Sequence, residues 1–245
     1  MYFIFNNMRH LIRRLYCKLI IKQAWFWLLL SCLSLMFIYP RTGWDEAITN
    51  MYFDVDTFYL KHDKFLVIVM HSGLKGLVLA IFFTLVFLWF SSFMRVRLAV
   101  IRSQLLWAWM GMVLSTTVIS VLKNLSIHSC PDKLLVYYGN MPSFSLAETF
   151  TQSAVAGHCW PGGHASAGIS LLAIYFAFRD SHPDFSNIAY AVSLLLWFVM
   201  GWAQVMRGIH FFSHNLWTLW IVWLVLEIQL TIWPLTPRNT LQNHA

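Results

Sequence analysis

Charge is what this 245-residue sequence has least of. Seventeen Lys and Arg and ten Asp and Glu amount to 11% of the chain, where globular domains carry roughly 25%. An intrinsically disordered chain is excluded, because disorder requires low hydrophobicity together with high net charge. Four cysteines are too few for a disulfide-dense secreted scaffold. Eleven glycines and seven prolines rule out a collagen-like repeat. What is abundant is apolar: 59% hydrophobic residues, 20 Phe and 13 Trp, with a mean hydropathy of +0.61. Such a surface needs a non-aqueous solvent, so the sequence reads as an integral membrane protein.

A helix crossing the hydrocarbon core, about 30 Å thick, needs about 20 mostly apolar residues. Six stretches are candidates: 22–40, 65–93, 104–122, 164–178, 186–206 and 211–233, the fourth short and opening at His164. The expected fold is all-α, a bundle of six transmembrane helices. Ten of the 17 basic residues lie in the N-terminal segment, 93–103, 179–185 and the C-terminal tail, and seven of the ten acids lie on the opposite side. The positive-inside rule then puts both termini in the cytoplasm. The organisation is a basic segment 1–22, a membrane domain 23–235 with a large external loop 123–163, and a tail 236–245. Within 1–22, Ile4, Met8, Leu11, Ile12, Leu15 and Leu19 share one helical face, with Arg9, Arg13, Arg14 and Lys18 mostly opposite. That pattern fits a helix lying on the anionic lipids of the inner leaflet, or a positive flank that orients the first span. No small-residue cleavage signal follows Phe37-Ile38-Tyr39-Pro40, so an uncleaved anchor is expected. The expected setting is a bacterial inner membrane, and no nucleic-acid partner is expected.

Tracing this topology brings polar residues to one surface. Span three ends at Lys123, span four opens from Pro161-Gly162-Gly163-His164, span five ends at Arg207, and span six opens at His210-Phe211-Phe212-Ser213-His214. Lys123, His164, Arg207, His210 and His214 thus meet at the external mouth of the bundle, where binding sites form. The Gly162-Gly163 turn leaves the first N–H groups of a helix exposed, a ready anion site. His164 in that first turn can give or take a proton near neutral pH. His210 and His214, four apart, share a helix face; they read as a nucleophile with its orienting partner, as metal ligands, or as interfacial hydrogen-bonding residues. A metal would need further ligands, for which His128, Cys130, His158 and Cys159 are near enough in topology. Lys123 and Arg207 fit both the C-terminal ends of helix dipoles and the charge of a bound phosphoryl group. His71 and Lys75, in the outer third of span two, could hold a headgroup or simply reach the surface. Cys130 and Cys159 share the external loop, where a disulfide could form, but sequence alone does not set the Cα separation it needs.

Lys123, six residues, Cys130-Pro131, then Pro161-Gly162-Gly163-His164, then Arg207-Gly208-Ile209-His210 resembles the type 2 phosphatidic acid phosphatase family over about residues 60–233. The family's pattern reads Lys-(six)-Arg-Pro, Pro-Ser-Gly-His and Ser-Arg-(five)-His-(three)-Asp. The resemblance implies metal-independent hydrolysis of a lipid phosphate or diphosphate at the outer membrane face, with no cofactor. Carried over, His210 is the nucleophile, His164 the acid that protonates the leaving oxygen, and Lys123 with the Gly162 and Gly163 backbone holds phosphate. Cys130 stands in place of the pattern's arginine, Gly162 in place of its serine, Ala203-Gln204 in place of Ser-Arg, and His214 in place of the orienting aspartate. Arg207, one turn from Gln204, is positioned to reach the same phosphate, with Lys133 and His128 as further compensating groups, and a neutral His214 can accept a hydrogen bond from His210. Activity should therefore fall on acidification, as His214 becomes charged. The expected activity is lipid phosphatase; the alternatives are a lipid phosphotransferase, an anionic-lipid binder without turnover, and a metal protein built on His210 and His214.

Overall fold

The structure, a computed structural model, describes residues 23–144, 148 and 157–235. The basic segment 1–22, with its expected lipid-binding face, and the tail 236–245 lie outside the described residues. In chain order come α1 (Gln23–Arg41), a short α2 (Trp44–Asn50), and a hairpin of β1 (Phe53–Asp54) and β2 (Thr57–Phe58). There follow α3 (Phe65–Ser91), α4 (Arg102–Leu125), α5 (Gly163–Phe178), α6 (Pro183–Met206) and α7 (Phe212–Ile232). Five of these, α1, α3, α4, α6 and α7, are long and apolar enough to cross a membrane, whereas α5 is apolar but shorter. The hairpin, with Phe53 opposite Phe58 and Asp54 opposite Thr57, is a small departure from the expected all-α chain.

Local chemistry accounts for the ends that matter to the site. Gly162 precedes α5 in an extended conformation, which opens the helix immediately before His164. α4 carries Lys123 in its last turn before Ser126 turns extended, so a cation sits at the negative end of the helix dipole. α6 begins with Pro183 and has Asp184 in its first turn, both favoured at a helix start.

α5, the shortest of the apolar helices, is the buried centre of the bundle. It packs against α6, α4 and α7, and Ile169, Leu172 and Phe176 join Trp107, Met200, Val222 and Leu226 in one core. Lipid supplies no hydrophobic drive between helices, so contact depends on small residues that allow close packing. A Cβ at Gly168 would lie 2.6 Å from the backbone of both Leu196 and Trp197, so α5 and α6 touch backbone to backbone there. One turn earlier on the same helix stands His164.

A second, smaller cluster closes the same end of the molecule. Phe58, Leu134 and Tyr137 pack together with Tyr52, Phe53 and Phe211. The Phe58 ring lies against Gly208, whose φ of +70° and lack of side chain are both required there. The loop between α4 and α5 is joined by a Cys130–Cys159 disulfide with a Cα–Cα separation of 5.2 Å, and Cys32 is a free thiol.

Candidate active site

Four helix ends converge at one mouth of the bundle. The backbone position of Gly163 is so close to Lys123 that an added Cβ would lie 3.3 Å from Nζ. The ammonium group therefore hangs over the first turn of α5, where N–H groups have no intrahelical partner. The next residue, His164, places its ring 6.5 Å, centroid to centroid, from that of His210. On its other side lies His71 of α3, at 4.1 Å. The fields of Lys75, Lys123 and Arg207 all reach the His164 ring.

His210 sits in the turn between α6 and α7, held by its backbone. The Gln204 carbonyl accepts N–H bonds from Ile209 (2.9 Å) and His210 (3.3 Å), and the Gly208 carbonyl accepts one from Asp132 (2.9 Å). The ring is fully enclosed, and burial, ahead of the charges of His214, Lys123 and His164, holds its pKa well below the ordinary 6.5. At neutral pH it is an uncharged imidazole with a lone pair available for attack. Its Nε2 has no hydrogen-bond partner among the described residues, and neither have His164 Nδ1 and Gln204 Nε2. Three orphaned polar atoms at one mouth mark a place for a ligand that both donates and accepts.

The other face of His210 is occupied. Its Nδ1 lies 3.4 Å from Nδ1 of His214, the outer edge of hydrogen-bond distance, and 3.2 Å from Sγ of Cys159. His214, in the first turn of α7, is buried, and its carbonyl accepts N–H from Gly162 (3.1 Å) and the hydroxyl proton of Thr218 (2.8 Å). Thr218 also bonds the Gly162 carbonyl at 3.0 Å, so the two helix starts are sewn together.

Arg207 donates from Nε to the Lys61 carbonyl (3.0 Å) and from Nη1 to Gln204 Oε1 (3.2 Å), which orients the Gln204 amide nitrogen. Lys61 pairs with Asp132 at 2.9 Å. The mouth thus holds Lys123, His164, Arg207, His210 and His214 with Gly162 and Gly163, and His71, the span-two residue read as a possible headgroup contact, joins them beside His164. Sequence gave Gln204 only as a replacement within the pattern and Cys159 only as one of several loop residues in reach; folding puts the Gln204 carbonyl on the His210 N–H and the Cys159 sulfur 3.2 Å from His210 Nδ1. On the far side of His214 a cavity of about 920 Å³ opens between the end of α1, the loop and α7, lined by Arg41, Asp45, His128, Ser129, Trp160 and Trp217 among others. His128 is shifted below its ordinary pKa by burial, partly offset by Glu148.

Cys130, Cys159 and His210 each present a donor atom within 4.8 Å of the others. With the sulfurs joined in a disulfide, neither is the thiolate that a zinc centre binds, so this donor set does not fit a metal in the state described.

The sequence profile of the family described as the PAP2 superfamily matches residues 104–236, a stretch that contains α4 from Gln104 onward, all of α5 to α7, and every residue of the mouth except His71 and Lys75. No curated protein and no solved structure matches the chain.

Proposed function

Since the chain belongs to the PAP2 superfamily, we propose that it is an integral membrane lipid phosphatase that works at the external membrane face through a phosphohistidine. Membership by itself gives phosphatase or phosphotransferase chemistry on a phosphate ester. An amphiphilic substrate with a phosphate or diphosphate headgroup is supported by the position of the mouth, at the ends of apolar helices where headgroups lie. The external face is supported by the distribution of basic residues, and with it six spans, both termini inside and, for a bacterial inner membrane, a periplasmic site.

The observation that carries the reading is the pair of unpartnered imidazole nitrogens, His210 Nε2 and His164 Nδ1, on rings 6.5 Å apart beside the Lys123 ammonium. Reacting atoms are about 3–3.5 Å apart before attack, and the two rings flank the place where a phosphoryl group would bind. His210 Nε2 attacks phosphorus, forming a P–N bond as the P–O bond to the lipid breaks, and His164 gives its proton to the departing oxygen. Water then attacks the phosphohistidine, His164 takes its proton, and phosphate leaves. Lys123, the N–H groups after Gly162 and Gly163, and the Arg207–Gln204 pair stabilise the phosphoryl oxygens.

Purified protein, with chelator present, is expected to release phosphate from a panel of phosphatidic acid, phosphatidylglycerol phosphate, polyprenyl diphosphate and a phosphorylated glycolipid. His164→Ala and His210→Ala each abolish release; full activity in both variants sinks the reading. A labelled phosphoenzyme chased with lipid acceptors separates hydrolysis from transfer.

A further inference from the structure

Cys130, Cys159 and His210 are the one group of three metal-ligating side chains, among the described residues, whose donor atoms lie within 4.8 Å of one another. Joined as a disulfide, the two sulfurs bind no metal, but that bond is open to chemistry. Cys130 is only partly buried, so a small dithiol can meet its sulfur from the loop side. Two electrons and two protons then pass to the protein: the S–S bond breaks, two thiols form, and the dithiol becomes a disulfide.

Distances decide what the two thiols can hold. Zinc binds thiolate sulfur at about 2.3 Å and imidazole nitrogen at about 2.0–2.1 Å, in a tetrahedron whose ligand atoms are therefore about 3.3–3.8 Å apart. Cys159 Sγ lies 3.2 Å from His210 Nδ1, already close to one edge of that figure. The two cysteine Cα atoms are 5.2 Å apart, and rotation about the Cα–Cβ bonds opens the sulfurs toward another edge. His214 Nδ1, 3.4 Å from His210 Nδ1 but outside the group of three, or water completes the shell. The donors also stay together once the S–S bond is cut, because separate backbone bonds hold them. Cys159 N–H donates to the His128 carbonyl at 2.9 Å, Asp132 N–H to the Gly208 carbonyl at 2.9 Å, and His210 N–H to the Gln204 carbonyl at 3.3 Å.

We propose that reduction of the Cys130–Cys159 disulfide creates a zinc(II) site from the two sulfurs and His210 Nδ1, and that zinc bound there switches the phosphatase off. The two thiol protons leave to solvent as the Zn–S bonds form, and two thiolates balance the charge of the ion. Metal on Nδ1 leaves the ring proton on Nε2, so the lone pair that would attack phosphorus is gone. Oxidation by an external disulfide takes the two electrons back, reforms the S–S bond and frees the ion. The site itself does not depend on the phosphatase reading; the loss of activity rests on His210 being the nucleophile.

The probe is zinc chloride, added to the full chain in detergent micelles, in a Cys17→Ser and Cys32→Ser background that leaves only the disulfide pair. Protein reduced without oxygen by a water-soluble phosphine, which becomes its oxide, is expected to retain about one zinc per chain after gel filtration, and oxidised protein none. His210→Gln, reduced in the same way, is expected to bind zinc at least about tenfold more weakly. Reduced protein that retains no zinc, oxidised protein that retains as much, or unchanged affinity in His210→Gln overturns the site. So does zinc held by reduced protein that has lost its near-ultraviolet circular dichroism, since unfolded thiols bind metal without a built site. Phosphate release from phosphatidic acid by reduced protein is expected to fall at least about tenfold with zinc and to return with chelator; full activity with zinc bound, or none without it, overturns the switch. Oxidised protein that releases no phosphate from any lipid of the panel counts against the phosphatase reading, while the zinc content still decides the site.

Discussion

At the scale of single residues, the two nitrogens of His210 have different surroundings, and burial keeps the whole ring neutral. The sign of the linked pH effect follows. The unfolded imidazole titrates near 6.5, and the folded one well below it, so between those values the unfolded state binds the extra proton. Stability from this group is unaffected above about pH 6.5 and falls as pH drops beneath it, by at most about 1.4 kcal/mol per pH unit. Thermal unfolding midpoints of the wild type are expected to decline more steeply below pH 6.5 than those of His210→Gln; parallel curves contradict a neutral buried ring. At the neighbouring cation, a methyl group on Gly163 would press on Lys123 Nζ from 3.3 Å and move it by a few tenths of an ångström. Gly163→Ala is expected to lower kcat/KM about tenfold, and Lys123→Met about 10²–10³-fold in kcat, the usual cost of removing a preorganised charge partner; steady-state phosphate release measures both.

The elements owe their positions to close approach more than to propensity. α5 is too short to cross the bilayer comfortably, yet its first turn carries His164, so the depth and tilt of the helix set where that ring stands at the mouth. The backbone contact at Gly168 holds it against α6. A Cβ there meets main-chain atoms that cannot rotate away, and Gly168→Ala is expected to cost about 1–3 kcal/mol. The readout is a lower unfolding midpoint, accompanied by reduced kcat because His164 lies one turn away; an unchanged midpoint contradicts the tight contact. The hairpin β1–β2 acts on the other half of the site. Phe58, 4% exposed, braces Gly208 two residues before His210, and truncating such a side chain typically costs about 3–5 kcal/mol. Phe58→Ala is expected to loosen the α6–α7 turn and to reduce turnover even at temperatures where the bundle stays folded.

For the molecule as a whole, orientation is the property on which the physiological role depends. Basic residues at 95–102 and 179 against acids at 45–63 and 132 give one answer under the positive-inside rule. In a background with Cys17→Ser and Cys32→Ser and the disulfide intact, Val136→Cys should react with a membrane-impermeant maleimide on intact cells, and Val96→Cys only after permeabilisation. Both positions are exposed, so access to the compartment and not burial decides the outcome. The opposite labelling pattern removes the external site.

Much of this architecture was legible in the order of residues, for a simple reason. Hydropathy over about 20 residues is a property of neighbours in the chain, and the apolar stretches at 65–93, 104–122, 186–206 and 211–233 correspond to α3, α4, α6 and α7 within a few residues. The histidines of the mouth were likewise legible, because spans that alternate in direction bring alternate ends together. Sequence left open whether Cys130 and Cys159 pair, since the separation of two loop positions depends on the path of the chain; folding brings their Cα atoms to 5.2 Å. It gave no hint that Gly168 admits a neighbouring backbone, that α5 is enclosed on three sides, or that Phe58 lies on Gly208. Cys159 was legible only as one of several loop residues within reach of the two histidines; folding puts its sulfur 3.2 Å from His210 Nδ1. Composition made this a membrane protein and spacing made its mouth polar, while packing determined what each nitrogen there can reach.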